Sequence, residues 1–482
     1  MLFSTPLFLF FFLPLVLTSF FLLPRSSTLQ NVFLLIVSLI FYAWGEGLYV
    51  LLLLASVLFN YLLGRLLQHL QEHLRKPAFI VGVACNLLML SAYKYTNFLA
   101  DNLNVVLHFL GAAGIFVAPI HYPLGISFFT FHAIIYLVNV YTRKNNAQIN
   151  ILKLALYFCF FPQLLMGPIV RYEDIIDQIN HRSISASDVA EGARRFIIGL
   201  GKKVLLAQQF GFVTDLLFRF PPGALTFYTA WLGTVCFSLQ IYFDFSGYSD
   251  MAIGLARIFG FHFKENFRYP YIAASLTELW KRWHISLTSL VRDYFYTPLA
   301  LHCMRTHRGH LHIWVQALPV FLTFMAIGLW HGAAWHFLIF GIINGGVVFI
   351  ENYYSSPIKR LPIFFRHLYT LILWILLCVL FRVDNMAQAV GFLSIMLGSS
   401  HHVDIFAYPA DAELYLCFFA GILASTPLFT LAFKEAEAKY GAHPQCISRL
   451  HFIRDAGLVL IFFLSAASIA SQTIDNFIYF RY

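Results

Sequence analysis

Charge is what this sequence has least of. Asp, Glu, Lys and Arg together make up 11% of its 482 residues, against 60% hydrophobic, and that balance belongs to chains solvated largely by lipid rather than to soluble domains. Carboxylates are scarcer than cations, 23 against 32. The basic excess, a formal +9, lies in short clusters such as Arg75 Lys76, Arg194 Arg195, Lys202 Lys203 and Lys359 Arg360, a distribution that anionic headgroups account for. A nucleic-acid partner would need a soluble basic surface, and the chain leaves no room for one. Cysteine is sparse as well: seven, an odd number, with no CxxC pair, so neither a disulfide framework nor a zinc site is indicated. Linkers, low-complexity tracts and internal repeats are also missing, which makes residues 1–482 a single membrane domain.

Long apolar runs take the place of what is absent. A bilayer core needs about 20 apolar residues per spanning helix, and charge-free windows of that size fall at 1–24, 26–45, 47–64 and 77–93. The first lacks a basic start and a small-residue cleavage site, so it reads as a retained span. Further windows lie at 154–170, 220–243, 367–381, 414–433 and 456–474, with two of double length at 102–142 and 309–350. Pro119 and the Pro123 Leu124 Gly125 turn divide the first of these, and Trp330 His331 Gly332 the second. Roughly a dozen spans result by the hydropathy rule. The expected fold is all-α: a polytopic transmembrane helical bundle with re-entrant and interfacial amphipathic helices around a central cavity.

Between 243 and 308 polar residues mix with aromatics, as in interfacial or re-entrant helices. Ser275 and Glu278 make a capping box, and Leu276, Leu279, Trp280, Trp283, Leu287, Leu290 and Val291 then recur at helical spacing. One continuous amphipathic helix is predicted, with His284 on the border of its apolar stripe. On pattern alone this helix lies at the membrane surface and His284 is incidental. Upstream, QIYFDFSGYSDMAIGLARIFG places Asp244, Ser246, Ser249 and Asp250 directly after an apolar span. Carboxylates at that depth need partners, and Arg257, Lys264 and Arg268 are nearby in sequence. A polar network lining a cavity is the expected role; Ser246 has no G-x-S-x-G elbow to make it a nucleophile.

His331 is an ionisable imidazole deep in a charge-free window, and such groups are costly in lipid and suggest function. Histidine also suits proton transfer near neutral pH. Small residues at 328, 332, 333 and 334 leave space beside the ring for a substrate or for another helix. The alternative is a structural histidine, with Gly328 and Gly332 serving close helix packing. His336, about one turn on, is supporting or structural. The His302, Cys303, His307, His310, His312 stretch fits no zinc spacing, and Arg305 and Arg308 within it would repel a cation. No metal site is expected.

Taken together, these stretches resemble the membrane-bound O-acyltransferase superfamily, and within it the bacterial alginate O-acetyltransferase group with its peptidoglycan and cellulose acetylation relatives. The resemblance runs from MLFSTPLFLFFFLPL through YPLGISFFTFHAIIYLVNVY and FFPQLLMGPIVRYEDIIDQI. Its most specific pieces are QIYFDFSGYSDMAIGLARIFGF, ENFRYPYIAASLTELWKRWHISLTSLVRDYFY and LWHGAAWHFLIFG. It implies that His331, in the Trp-His-Gly motif, is catalytic and that His284, in Arg-Trp-His-Ile-Ser-Leu, is its second histidine, which reverses the local reading of His284. Asp244, Ser246, Asp250, Trp330 and Gly332 become candidates for lining the substrate cavity. The resemblance further implies an acetyl donor such as acetyl-CoA entering from the cytoplasm, no bound cofactor, residence in a bacterial inner membrane and an extracytoplasmic acetyltransferase partner. Two stretches depart from the family pattern. Thr297 Pro298 Leu299 Ala300 replace a glycine-rich loop, and Ile343 Asn344 Gly345 stand where a further Trp-His-Gly often occurs. Two other classes compete: a transporter or flippase with an intramembrane His/Asp path, which would often show two related halves, and a non-catalytic scaffold.

Overall fold

The computed structural model describes residues 1–306, 312–354, 360–399, 411–441 and 443–471, and among the described residues no strand occurs. The all-α expectation is met. Among the described residues eight helices are long and apolar enough to cross a membrane, or nine if the pair Ala412–Ala424 and Leu428–Tyr440, bent by 57°, is one span. That is fewer than the dozen read from hydropathy, for a physical reason. Residues 154–170 are apolar because they are buried in protein; they form the short helices Ile151–Cys159 and Phe161–Leu164, broken at Phe160. Of the 220–243 window only residues 227–243 are helical in one piece, as the first half of a 32-residue helix, Phe227–Ile258. The polar FDFSGYSD stretch is therefore inside a helix and does not follow a span.

The chain forms two compact units: Met1–Phe196 with Tyr248–Lys264, and Ile197–Gly247 with Glu265–Tyr482. The first holds α1 (Leu13–Leu22), α2 (Ser27–Glu46), α3 (Tyr49–His69), α4 (Glu72–Lys94), α5 (Thr96–Phe109), α6 (Ile126–Tyr141), α7 (Ile151–Cys159), α8 (Phe161–Leu164) and α9 (Tyr172–Asn180). Its core is aromatic: Phe3, Phe8, Phe12, Phe41 and Phe161 lie within 4.9–6.5 Å of one another in ring pairs. Its polar side chains are used as clamps. Asn60 of α3 and Asn86 of α4 exchange amide hydrogen bonds at 3.1 and 2.9 Å. The buried Arg75 guanidinium donates to Leu67 O, Val140 O and Tyr141 O, so one cation satisfies the carbonyl ends of α3 and α6.

Helix α10 (Ala186–Gly201) continues through a π-helical turn, Lys202–Ala207, into α11 (Gln208–Arg219). Hydropathy by charge-free windows misses this span, because Arg194, Arg195, Lys202 and Lys203 interrupt it; the 34-residue helix nevertheless qualifies by length and composition. Its charges are matched by α12 (Phe227–Ile258), which runs antiparallel to it. In the first unit Asp188 receives Arg257 at 3.2 Å and Arg195 meets Asp250 at 2.9 Å; in the second Lys203 pairs with Asp244. The partners of the two carboxylates thus come from α10 and the π turn rather than from Arg257, Lys264 or Arg268, as proximity in sequence suggested. Backbones touch along this seam. A Cβ on Gly192 would stand 2.6 Å from Gly254 O, and one on Gly254 2.5 Å from Gly192 O, so only glycine fits either position.

The second unit continues with α13 (Leu276–Arg282), α14 (Ile285–Val291), α15 (Thr297–Thr306), α16 (Ile313–His331), α17 (Trp335–Tyr353), α18 (Ile363–Arg382), α19 (Met386–Met396), α20 (Ala412–Ala424), α21 (Leu428–Tyr440) and α22 (Pro444–Ser471). The 309–350 window divides as expected, between His331 and Trp335.

Candidate active site

The second unit places His284 and His331 at two helix breaks. The predicted capping box is real: Ser275 Oγ accepts from Glu278 N at 3.0 Å, while the Glu278 carboxylate reaches back to Ala274 N at 3.0 Å. A second carboxylate does more. Buried Glu351 of α17 accepts from Leu276 N, Thr277 N and Thr277 Oγ1 at 2.8, 2.7 and 2.6 Å, so it satisfies the free amides at the start of α13 and complements the helix dipole.

The single helix predicted beyond Ser275 does not form. It stops at Arg282, and His284 adopts a left-handed conformation, φ 43° and ψ 53°, before α14 begins. For a residue with a Cβ this costs roughly 1–2 kcal/mol. The segment 266–268 offsets it by taking up the backbone groups that the break releases. Asn266 O accepts from Ile285 N at 2.9 Å, and Arg268 N donates to Arg282 O at 2.9 Å. Asn266 Oδ1 accepts from Ser286 N at 3.1 Å and Ser286 Oγ at 2.9 Å, and lies 3.2 Å from His284 Nδ1. Periodicity did not reveal the break because the apolar stripe continues across it. Trp283, the last member of that stripe before the break, packs on Trp374, Phe267 and Tyr242 with ring centroids 5.0–6.1 Å apart.

His284 is not at a surface: it is 1% exposed, with Phe245 of α12 edge-on at 4.6 Å. Burial pushes its imidazole down to about 3, so the ring is neutral. Nε2 has no hydrogen-bond partner in the protein.

His331 is the last residue of α16 and 6% exposed. The Trp330 indole stands between the two imidazoles, 5.9 Å from His284 and 4.7 Å from His331. On its other sides the His331 ring meets Phe381 at 4.9 Å and Phe340 at 6.3 Å, both edge to face. Phe381 sits on a fixed helix end: its neighbour Arg382 pairs with Asp215 at 2.8 Å and lies over the Phe218 ring, while Leu380 O accepts from His336 Nδ1 at 2.8 Å. His336 therefore holds α17 to α18.

The space beside His331 is taken by another helix. A Cβ on Gly332 would stand 2.1 Å from the Phe337 ring, and one on Gly328 2.3 Å from Phe337 O. Asn344 accepts from Trp280 Nε1 at 3.0 Å through its Oδ1. Of the remaining candidates, Asp244 is engaged by Lys203, and Asp250 belongs to the first unit with Arg195. Ser246 Oγ is buried and has no hydrogen-bond partner. His307 and His310 lie outside the described residues. Asn266, Glu351, Asp215 and Phe381 were not read from the sequence. Only Glu351 carried a signal, as a carboxylate directly after an apolar window.

Fold and composition together define a multi-pass, all-helical membrane protein. A family model described as membrane-bound O-acyltransferase matches residues 38–387. The chain is 37% identical over 394 residues to a probable alginate O-acetylase of Pseudomonas aeruginosa, covering 81% of this chain and 73% of that one. It is 33% identical over 505 aligned residues to a probable alginate O-acetylase of Pseudomonas putida, with both chains fully covered. A peptidoglycan O-acetyltransferase of Helicobacter pylori is 32% identical over 437 residues, covering 83% and 80%. The chain belongs to the membrane-bound O-acyltransferase family and is an acyltransferase.

Proposed function

We propose that this enzyme is an O-acetyltransferase of a bacterial inner membrane that takes acetyl from a cytoplasmic thioester, acetyl-CoA, and moves it across the membrane for O-acetylation of a cell-envelope polysaccharide of the alginate or peptidoglycan kind. An extracytoplasmic acetyltransferase partner receives the group. One observation carries the reading: two buried imidazoles flank one indole, within the region that the family model matches. The similar alginate O-acetylases and peptidoglycan O-acetyltransferase suggest the acetyl group and the polymers.

His331 is assigned the catalytic role and His284 the second. As a general base, imidazole takes the acceptor hydroxyl proton while oxygen attacks the thioester carbonyl; the C–S bond breaks and the thiolate leaves with that proton. As a nucleophile, the imidazole nitrogen attacks the thioester carbonyl, the C–S bond breaks and the thiolate leaves; the hydroxyl oxygen then attacks the acetyl-imidazole, the N–C bond breaks, and the hydroxyl proton passes to the freed ring nitrogen. Either route needs a neutral ring. Trp330 and Gly332 shape the wall beside the rings, Ser246 supplies a buried hydroxyl, and Asp244 lines the cavity through its ion pair with Lys203, while Asp250 keeps its own pair with Arg195 in the first unit. No bound cofactor enters the scheme, since the thioester is a substrate.

The test is acetyl transfer from labelled acetyl-CoA by purified protein in lipid nanodiscs, together with polymer acetylation in cells. His331→Ala should lower transfer about 10²–10⁴-fold without loss of folded protein. Full acetylation in cells by both His331→Ala and His284→Ala at normal protein levels would leave only a scaffold. Solute movement that survives His331→Ala, with no acetyl transfer by wild type, would make the protein a transporter.

A further inference from the structure

The environment of His284 distinguishes its two nitrogens, and one side chain makes the distinction. Asn266 is wholly buried, and its Oδ1 accepts from the Ser286 backbone N–H at 3.1 Å. A backbone N–H can only donate, so the atom facing it is the amide oxygen and not the NH2. The same oxygen lies 3.2 Å from His284 Nδ1 and also accepts from Ser286 Oγ at 2.9 Å. Ser286 Oγ also lies 3.4 Å from Nδ1, but its single hydrogen is on the shorter bond to Asn266 Oδ1, so both oxygens facing Nδ1 accept from it and the proton is on Nδ1. The lone pair of the neutral ring is then on Nε2, the buried nitrogen with no partner in the protein. Asn266 holds the main chain as well, through Ile285 N at 2.9 Å, on the far side of the left-handed residue.

We infer that Asn266 is a positioning residue for the acyl-transfer reaction: it fixes His284 as the Nδ1–H tautomer and leaves Nε2 as the nitrogen that exchanges a proton with the reacting groups. This rests on the assignment of His284 to the site. The proton balance is simple. Nε2 takes the proton to give an imidazolium that keeps Nδ1–H on the amide oxygen, and later returns it from Nε2. An amide oxygen is not a base at neutral pH, so Asn266 orients the ring and relays nothing. A carboxylate in its place would stabilise the imidazolium instead. The charged and titratable groups on the elements around the ring are the Lys203 and Asp244 pair next to Phe245, Tyr242 on α12, the Arg282 and Glu278 pair and Lys281 on α13, Glu265 and Arg268 on the segment of Asn266, and His331 beyond Trp330.

Asn266→Ala and Asn266→Asp, assayed in nanodiscs with labelled acetyl-CoA beside His284→Ala and His331→Ala, test the inference. Asn266→Ala should lower kcat about 10–100-fold with KM changed less than threefold, the size expected when the partner that orients a functional histidine is lost. Asn266→Asp keeps every acceptor bond, so it tests the role even if the alanine variant loses its fold. It should retain most of the lost rate and move the acid limb of the pH–rate profile upward by about one unit, because a carboxylate raises the basicity of the ring. An Asn266→Asp profile that superimposes on wild type while His284→Ala is inactive would overturn the role of Asn266 and leave the site intact. Full activity in His284→Ala would instead remove the assignment on which the inference rests.

Discussion

The two histidines sit at chain breaks built in opposite ways. At His284 the break is polar. A left-handed residue is held by three acceptor bonds on one amide oxygen and a fourth on its backbone carbonyl, and the preceding helix is anchored by a buried carboxylate. At His331 the break is apolar: Gly332 takes extended backbone, φ −164°, and the ring is fixed by Trp330, Phe340 and Phe381. The first seat depends on which atoms donate and accept; the second depends on volume. Substitutions should separate them along that line.

The largest loss is expected from Glu351→Ala, which strands three donors at the start of α13. Thermal unfolding in detergent should report about 3 kcal/mol of destabilisation, and Glu351→Gln a smaller loss, since the amide oxygen still accepts. Gly332→Val should follow, at about 2 kcal/mol of overpacking against Phe337, with partial recovery in the Gly332→Val, Phe337→Ala pair. A polar rescue such as Gly332→Ser should fail, and success there would erase the contrast between the seats. Phe381→Leu keeps an apolar contact and should cost about 1 kcal/mol. A pH effect is spread over several units and is small near neutrality. His284 is held neutral in the fold with its pKa lowered to about 3 from the usual 6.5, so between these values the unfolded chain binds more protons. Stability should therefore fall as pH drops below about 6.5, and His284→Gln should flatten that slope in unfolding measured at a series of pH values.

The difference between the seats also explains what the sequence made legible. The His331 break was readable because glycine and small residues interrupt an apolar window. The Ser275 cap was readable because its donor and acceptor are three residues apart. The break at His284 was not, since the Asn266 that stabilises it is 18 residues away and its neighbours keep helical spacing. Ion-pair partners were misread for the same reason: Lys203 and Asp244 are 41 residues apart, whereas Arg257 only looked near. Long apolar windows overcounted spans, because a helix buried in protein and one facing lipid share a composition.

The charge matching between the 34-residue helix of residues 186–219 and α12 bears on how the chain is made. An Arg or Lys near the centre of a helix costs about 2.5–3.5 kcal/mol to insert alone, and this helix carries Arg195 and Lys203, each paired with a carboxylate of α12. Their partners, Asp250 and Asp244, are synthesised some 40 to 55 residues later. Pairing with the later helix offsets that cost, so insertion of the two together as a neutralised hairpin is energetically favoured over insertion of the first alone.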